Sequence, residues 1–353
     1  MKRLIFILFL TLLAGRLAGQ VAPKMTSTLQ VDADANSRTN PGDTLRYTIT
    51  FTNTSGTNLL NVQFNNLSFP NQTLVGGSIK TTPVARPDTY SGVVGNTLFN
   101  VPSTSGVLTN DSDADGDLIS VVTFSPTSAQ GGTVIVTNNG GFSFSPAVGY
   151  TGTDTFVYTI SDGNGGTNSS VVTLTIGNRV WYVNNAGVNG DGRQSTPFNS
   201  FASLNGAGDV DGTNDFIYLF PGSGSYGAGL VLESDQKLIG AGLALVVGGA
   251  TIIPAGNRPT LGLGGAGVIC STNNTIQGLN ITATAGKGIA GTNVGTLTVS
   301  SVMIAATGGA ALDVDTGTAA ITLDSAFSTN STVDGLRLNA LNGTVTINGG
   351  LVV

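Results

Sequence analysis

Between residues 45 and 52 apolar and polar positions alternate strictly: Leu45, Tyr47, Ile49 and Phe51 against Arg46, Thr48, Thr50 and Thr52. A period of two predicts a strand with one buried face. Turn sequences flank it, Asn40-Pro41-Gly42-Asp43 before and Asn53-Thr54-Ser55-Gly56 after. Further short strands are expected at 118–124, 133–137, 142–145, 155–160 and 171–176, separated by Gly and Asn turns, a spacing that suggests a β-sandwich. From about residue 178 the pattern changes. Thr275-Ile276, Thr298-Val299, Thr322-Leu323 and Thr346-Ile347 recur at intervals of 23, 24 and 24 residues, and Leu312 and Val314 stand 24 residues before Leu336 and Leu338. A fixed period of this length is the signature of a solenoid with one period per coil. Threonines 298, 322 and 346 should stack in one outer ladder with Leu323 and Ile347 inside, and Asp313 and Arg337 should stack outside as an exposed pair.

Three stretches carry family resemblances. Pro41 to Thr50, with Asn53-Thr54, Leu60-Asn61-Val62 and Thr73 to Ser78, resembles the immunoglobulin-like conserved-repeat domain of prokaryotic surface proteins, with Asn65-Asn66 where that family often has Asp. Val107 to Asp117, Gly149 to Tyr158 and Ser161 to Gly166 resemble the cadherin-like tandem repeat of bacterial adhesins. Val180 to Asn184, Gly190-Asp191-Gly192, Asp215 to Gly222 and Lys237 to Gly242 resemble the opening turns of a pectin-lyase-like right-handed parallel β-helix. The expected fold is all-β: two sandwiches, residues 20–85 and 86–177, followed by a right-handed parallel β-helix over 178–353 that is expected to continue beyond its last coil here.

The first residues read as an address. Met1-Lys2-Arg3 is a positive start, Leu4 to Leu13 an apolar run, and Leu17-Ala18-Gly19 a cleavage site, which makes 1–19 a signal peptide. The apolar run is too short to span a bilayer, so no membrane span is expected once it is removed. The chain is then expected to be secreted or held at a bacterial cell surface.

Composition narrows the chemistry. The net charge is −6 and only 10% of residues are charged, without any basic run, which argues against nucleic acid. The chain has no His and a single Cys, excluding Ser-His-Asp and Cys-His catalysis and any intrachain disulfide; Cys270 reads as a small buried hydrophobe. Glycine-rich runs such as 262–267 lack the Lys and helix of a phosphate loop and read as tight turns. Trp181 and Tyr182 read as a strand anchor at the start of the β-helix, a sugar platform being the other reading. Lys24 and Lys80 show no context for an isopeptide bond.

Asp111, Asp113, Asp115 and Asp117 alternate through a turn with Gly116, an arrangement that can converge on one hard cation. Val122 stands where a helical calcium loop needs Glu, which rules out an EF-hand. The resemblance to the cadherin-like repeat implies calcium as the ion, with Asp162 as a further ligand and Asp154 as a strand-start turn residue. A solvated Asp-rich turn is the other reading.

No catalytic residue is assigned. The expected function is structural or adhesive, through broad contacts with an unidentified cell-surface glycan or protein. The alternative is a polysaccharide lyase or glycoside hydrolase acting on the β-helix face, where Asp313, Asp315, Asp324, Asp334 and Arg337 are the charges available. A carbohydrate-binding module is a further rival, but Phe327 is the sole aromatic beyond Tyr226.

Overall fold

A computed structural model describes residues 21–31, 44–53 and 81–350, apart from 207, 228, 264–266 and 284. The expected leader at 1–19, Lys80 and most of the conserved-repeat resemblance lie outside the described residues. The chain divides into compact units at 78/79. In the first unit, β1 (Val21–Val31) and β2 (Thr44–Asn53) form an antiparallel pair with Met25 opposite Ile49. β2 is the alternating run expected at 45–52.

The second unit opens with a seven-stranded sandwich. Its strands are β3 (Asp88–Gly95), β4 (Phe99–Val101), β5 (Ser120–Phe124), β6 (Thr133–Val136), β7 (Phe142–Ser145), β8 (Gly152–Ser161) and β9 (Thr167–Val183). One sheet runs β5-β8-β9-β3, with β3 parallel to β9, and the other runs β4-β7-β6. Alternation decides which side chains go in. Phe156, Tyr158 and Ile160 of β8 and Val172, Leu174 and Ile176 of β9 are buried. Between the sheets Phe142 meets Phe156 and Tyr90 edge-on, at 5.4 and 5.0 Å between ring centres. The expected strands are present, but Leu118, placed in one of them, is outside it and 88% exposed. β3 and β4 gave no alternating signal, because β3 carries Asp, Ser and Gly.

β9 then continues without a break into the solenoid, so the expected boundary at 177/178 falls inside one strand. Its alternating burial stops at Ile176, and Val180 to Val183 are buried without alternation, the mark of a strand covered on both faces. Those four residues pair in parallel with β10 (Phe216–Leu219). Side chains lock the corner. Asn96 takes a left-handed φ of 61°, accepts the Gly149 amide at 2.7 Å on its side chain and the Gln194 amide at 2.9 Å on its carbonyl. The Thr97 and Tyr182 hydroxyls are 2.6 Å apart. Asp215 Oδ2 accepts from Arg179 at 2.6 and 2.9 Å, from Trp181 Nε1 at 2.9 Å and from the Gly212 amide at 2.9 Å.

Beyond the junction the chain winds through three faces in turn. β10, β11 (Ser225–Tyr226) and β12 (Leu230–Val231) form the first coil. The second has β13 (Lys237–Gly240), an antiparallel hairpin of β14 (Leu245–Val247) and β15 (Ala250–Ile253), then β16 (Thr260–Leu263) and β17 (Val268–Cys270). From there longer strands turn corners, β18 (Thr275–Ala283), β20 (Thr296–Thr307), β21 (Leu312–Thr329) and β22 (Leu336–Ile347), with the short β19 (Ile289–Thr292) between β18 and β20. Every inter-coil pairing is parallel. Ile217, Leu238, Ile276, Val299, Ile321 and Leu323 fill the bore, and Cys270 is buried there too. Trp181 stacks on Phe198 at the first turn of this core, 5.8 Å between ring centres, and is fully buried there, in keeping with a strand anchor.

The ladder expectation is corrected at one rung. Thr275 faces Thr298 and Thr322 faces Thr346, but Thr298 faces Ala320, while Thr322 faces Ser300. The coil between them is two residues shorter than the sequence interval implied. Part of the difference is taken up at the corner leading into this face, longer by one residue from Thr292 to Thr296 than from Asp315 to Thr318; Gly278 and Ser301, with φ of 72° and 54°, bend β18 and β20 at the next corner. Leu323 is inside and Ile347 packs on the core, as expected. Leu338, also expected inside, is 41% exposed on the last strand of the stack.

Candidate metal centre

The Asp-rich loop lies between the 3-10 turn at Ser103–Ser105 and β5. Gly116 takes a φ of 81°, so the chain doubles back between Asp115 and Asp117. One oxygen from each of Asp113, Asp115 and Asp117 lies within 4.8 Å of the others. Asp113 Oδ1 accepts the backbone amides of Asp115 and Asp117 at 3.0 and 3.3 Å, while its Oδ2 is buried without a hydrogen-bond partner. Asp115 accepts the Thr81 hydroxyl at 2.5 Å and the Thr81 amide at 3.2 Å, and Val84 pairs with Ser112. The loop therefore clasps the segment that leads into β3.

Charge crowding marks this loop. The hydrogen bond to Asp115, and then burial, raises Asp113; the hydrogen bond from Asp113, then that from Thr81, lowers Asp115 to about 2. The two carboxyls crowd one another, and a cation between them would relieve that crowding. Three carboxylates and an orphaned oxygen on one side of a turn are a donor set for a hard, oxygen-seeking ion.

Asp162 sits beside this group. It is 4% exposed, its Oδ1 accepts the Asn164 and Gly166 amides at 2.7 and 2.9 Å, and its Oδ2 is buried without a partner. Asn164 reaches across to Asp117 Oδ2 at 2.7 Å, tying the two loops together. A Cβ on Gly166 would collide with Asp162 Oδ2, so a larger residue there would push that carboxylate out of its place.

Asp111, expected in the same cluster, is placed elsewhere. Its carboxylate turns inward to the Arg86 amide at 2.7 Å and the Tyr158 hydroxyl at 3.0 Å. Alternation of carboxylates along a turn does not hold once the chain enters the sandwich, where Asp111 meets β8 rather than Asp113. Its neighbour there is Asp88, which sequence reasoning missed; burial pushes Asp88 up to about 6. The one signal was a lone Asp between Pro87 and Thr89 at the head of an unrecognised strand. Asp154 is in β8, 1% exposed, and braces the β5–β6 loop through Ser128 Oγ at 2.6 Å and the Gln130 amide at 2.9 Å.

The solenoid charges are mostly paired. Asp313 was expected outside in an exposed pair with Arg337, but it is 6% exposed and held by Lys287 at 2.5 Å and Arg337 at 2.8 Å. Two long cationic side chains from adjoining coils close over it. Burial alone would raise its carboxyl, and Lys287 and Arg337 outweigh that and hold it below the usual carboxylate range. Arg337 also reaches Asp315 at 3.5 Å, and Arg258 pairs with Asp324 at 2.5 Å. Near the junction Asp211 is 9% exposed and accepts Gln236 Nε2 at 2.7 Å; burial pushes it up to about 7, with Asp209 and Glu233 adding to the shift.

No helix among the described residues is long and apolar enough to cross a membrane. No curated protein matches the chain. Among solved structures, an endo-fucoidan hydrolase from glycoside hydrolase family 107 and a variant of that enzyme are each 13% identical to it, with a TM-score of 0.22. Each match covers 57% of this chain and 28% of the other, so the chain spans little more than a quarter of their length. A likeness that slight carries no argument. The family model of the bacterial cadherin-like domain matches residues 80–178, which are the sandwich with its Asp-rich loop, and this domain runs directly into a β-solenoid of about five turns at 216–347.

Proposed function

We propose that this chain is an exported, non-catalytic surface module in which calcium braces the cadherin-like domain and the solenoid offers its flanks to a cell-surface or matrix glycan or protein. The observation that carries the reading is β9. One strand is shared by the sandwich and the first coil, so force or binding at the solenoid passes to the sandwich along a continuous backbone. A rod of stacked coils contacts its partner through area rather than through a cleft.

The acidic side chains of the outer coils support a structural role. Asp313, Asp315 and Asp324 are engaged by Lys287, Arg337 and Arg258, which leaves the exposed Asp334 outside these pairs, whereas a glycan-cleaving centre uses two carboxyls facing one bond. Calcium would be held by Asp113, Asp115 and Asp117, with Asp162 adjoining. At that position it would neutralise the crowded carboxylates and fasten the Thr81–Arg86 segment to the sandwich. Export rests on the apolar leader at 1–19.

The test is to incubate the full chain with acidic polysaccharides and matrix proteins, scoring retention and newly formed reducing ends together. Retention without chain shortening is the expected result. Release of reducing ends that disappears in Asp313→Ala would instead establish the hydrolase or lyase reading.

A further inference from the structure

Two buried aspartates stand in one turn where the sandwich passes into the solenoid, and only one of them is compensated. Asp215, 5% exposed, accepts from Arg179, the Trp181 indole and the Gly212 amide on its Oδ2. Asp211, 9% exposed, accepts a neutral donor, Gln236 Nε2 at 2.7 Å on its Oδ2, while its Oδ1 is buried without a hydrogen-bond partner. The charged groups that face it are carboxylates, Asp209 from its own loop and Glu233 from the turn before β13. Arg179, the cation of this corner, is taken by Asp215 and by the Gly149 carbonyl at 2.9 Å. Ionised, Asp211 is a buried charge facing two like charges; protonated, it is a neutral group beside a neutral amide.

Its position gives that proton a reach beyond the corner. Gln236 is fully buried; its Nε2 spans Asp211 Oδ2 and the Gly212 carbonyl, the latter at 3.1 Å, and its Oε1 accepts the Glu233 amide at 2.9 Å. Asn274 repeats the arrangement one coil on, donating to the carbonyls of Glu233 and Gln236 at 2.6 and 3.3 Å. In the other direction the Gly212 amide holds Asp215, Asp215 holds Arg179, and Arg179 holds Gly149 between β7 and β8 of the sandwich. A contiguous run of hydrogen bonds therefore joins one carboxyl to both sides of the joint. Histidine, the usual group that changes charge near neutrality, is absent from the chain.

We propose that Asp211 makes the joint between sandwich and solenoid sensitive to protons: protonated, it lets Gln236 and Gly212 hold the corner closed against Asp215 and Arg179, and ionised, it opens the corner toward water and loosens the hold of Arg179 on the sandwich. The property under control is the stiffness of β9 where it passes from one fold to the other. The sign follows from which form the fold favours. Burial, with Asp209 and Glu233, pushes Asp211 up to about 7, so the closed corner is complete below the ordinary carboxylate value and is lost as the pH rises through neutrality.

Trp181 reports on this corner, because it is the only Trp in the chain, is 1% exposed and donates to Asp215 at 2.9 Å. The experiment follows acrylamide quenching of Trp181 in the full chain, in chelator, across neutral pH. Accessibility is read rather than intensity, because a nearby charge alters intensity by itself. The quenching constant should rise at least about twofold, with a midpoint near 7. Asp211→Asn keeps an acceptor for Gln236 and cannot ionise, so it should hold the constant at its acid value throughout. Asp209→Asn/Glu233→Gln should lower the midpoint without removing the transition, and Asp88→Asn, in the sandwich, should leave it in place. A flat profile in the unmodified chain, the same transition in Asp211→Asn, or an unmoved midpoint in Asp209→Asn/Glu233→Gln would each overturn the proposal.

Discussion

The first coils of the solenoid and the last are stacked in the same way, yet their outer faces are opposites. In the first coils the outward residues of the face continuing from β9 are Val180, Tyr182, Phe216, Tyr218 and Ile239, all buried. The β14–β15 hairpin covers them with Leu245 and Val247, and Val94 of the sandwich joins the same cluster. In later coils the same face presents Thr296, Thr318, Thr322, Thr344 and Thr346, all exposed. Bore and rung spacing are shared, so what differs is the cover. A strand with two apolar faces needs an element laid over it; one with a hydroxyl face does not.

The corners repeat the contrast. Before β10, β13, β18 and β20, the left-handed positions are Asn214, Asp235, Asn273 and Asn293, whose short polar side chains tolerate that backbone. In the later coils Thr316 and Ala340 take it, with φ of 59° and 48°. The early coils are built for one geometry, and the late ones accept it at a local cost.

The largest effects should fall on the covered end. Asp215→Ala leaves the Arg179 guanidinium and the Trp181 indole without their shared acceptor, and Tyr218→Ala hollows the cluster under the hairpin. Each should cost about 3–5 kcal/mol in urea unfolding followed by circular dichroism. Asp324→Ala, which breaks a half-exposed pair with Arg258, should cost about 0–1 kcal/mol. Equal losses for Asp215 and Asp324 would erase the distinction between the ends.

Calcium comes next, because it acts on the sandwich to which the covered end is joined. Saturating calcium should raise the melting temperature of the full chain by about 2–6 °C over chelator, and Asp113→Ala/Asp115→Ala should reduce that rise. Hydrogen exchange should then show slowing in β9 and β10 but little change in β22.

The pH response has a definite sign. Asp88 and Asp211 ionise in the folded chain near 6 and 7, above the ordinary value of 3.8, so folding favours their protonated forms. Their stabilisation is complete below about pH 4 and is lost as the pH rises through 6 and 7. Asp313 is shifted the other way, and its stabilisation is lost as the pH falls below 4. In chelator the urea midpoint should therefore decline from pH 5 to 8, and Asp211→Asn should flatten the upper part of that decline. A midpoint independent of pH over this window would contradict both assignments.

The smallest effects belong to the uncovered hydroxyl face of the later coils. Thr316→Asn should gain about 0.5–1 kcal/mol by relieving a β-branched residue in left-handed backbone. Thr322→Val on the exposed face should change stability by less than about 0.5 kcal/mol. A loss above about 2 kcal/mol at Thr322 would indicate that something covers this face after all.

What the sequence determined by itself is whatever repeats locally. Alternation marked β2, and short runs set between Gly and Asn turns marked β5, β6, β7, β8 and the first half of β9, because both signals are written residue by residue. The recurrence at 23 and 24 residues marked the coils, since each coil must put an apolar side chain into the same bore. Motif spacing likewise brought Asp113, Asp115 and Asp117 together, for they share one turn. Only the tertiary structure decided the rest, and in each case through contacts between distant segments. The ladder slips so that Thr298 meets Ala320, because the corner from Thr292 to Thr296 is one residue longer than its partner from Asp315 to Thr318 while the bore is unchanged. Asp313 is buried because Lys287 and Arg337 arrive from the coils on either side of it. Asp111 leaves its neighbours because β8 brings Tyr158 to it and β3 brings Asp88, and no local pattern records a meeting between residues 23, 47 and 70 positions apart.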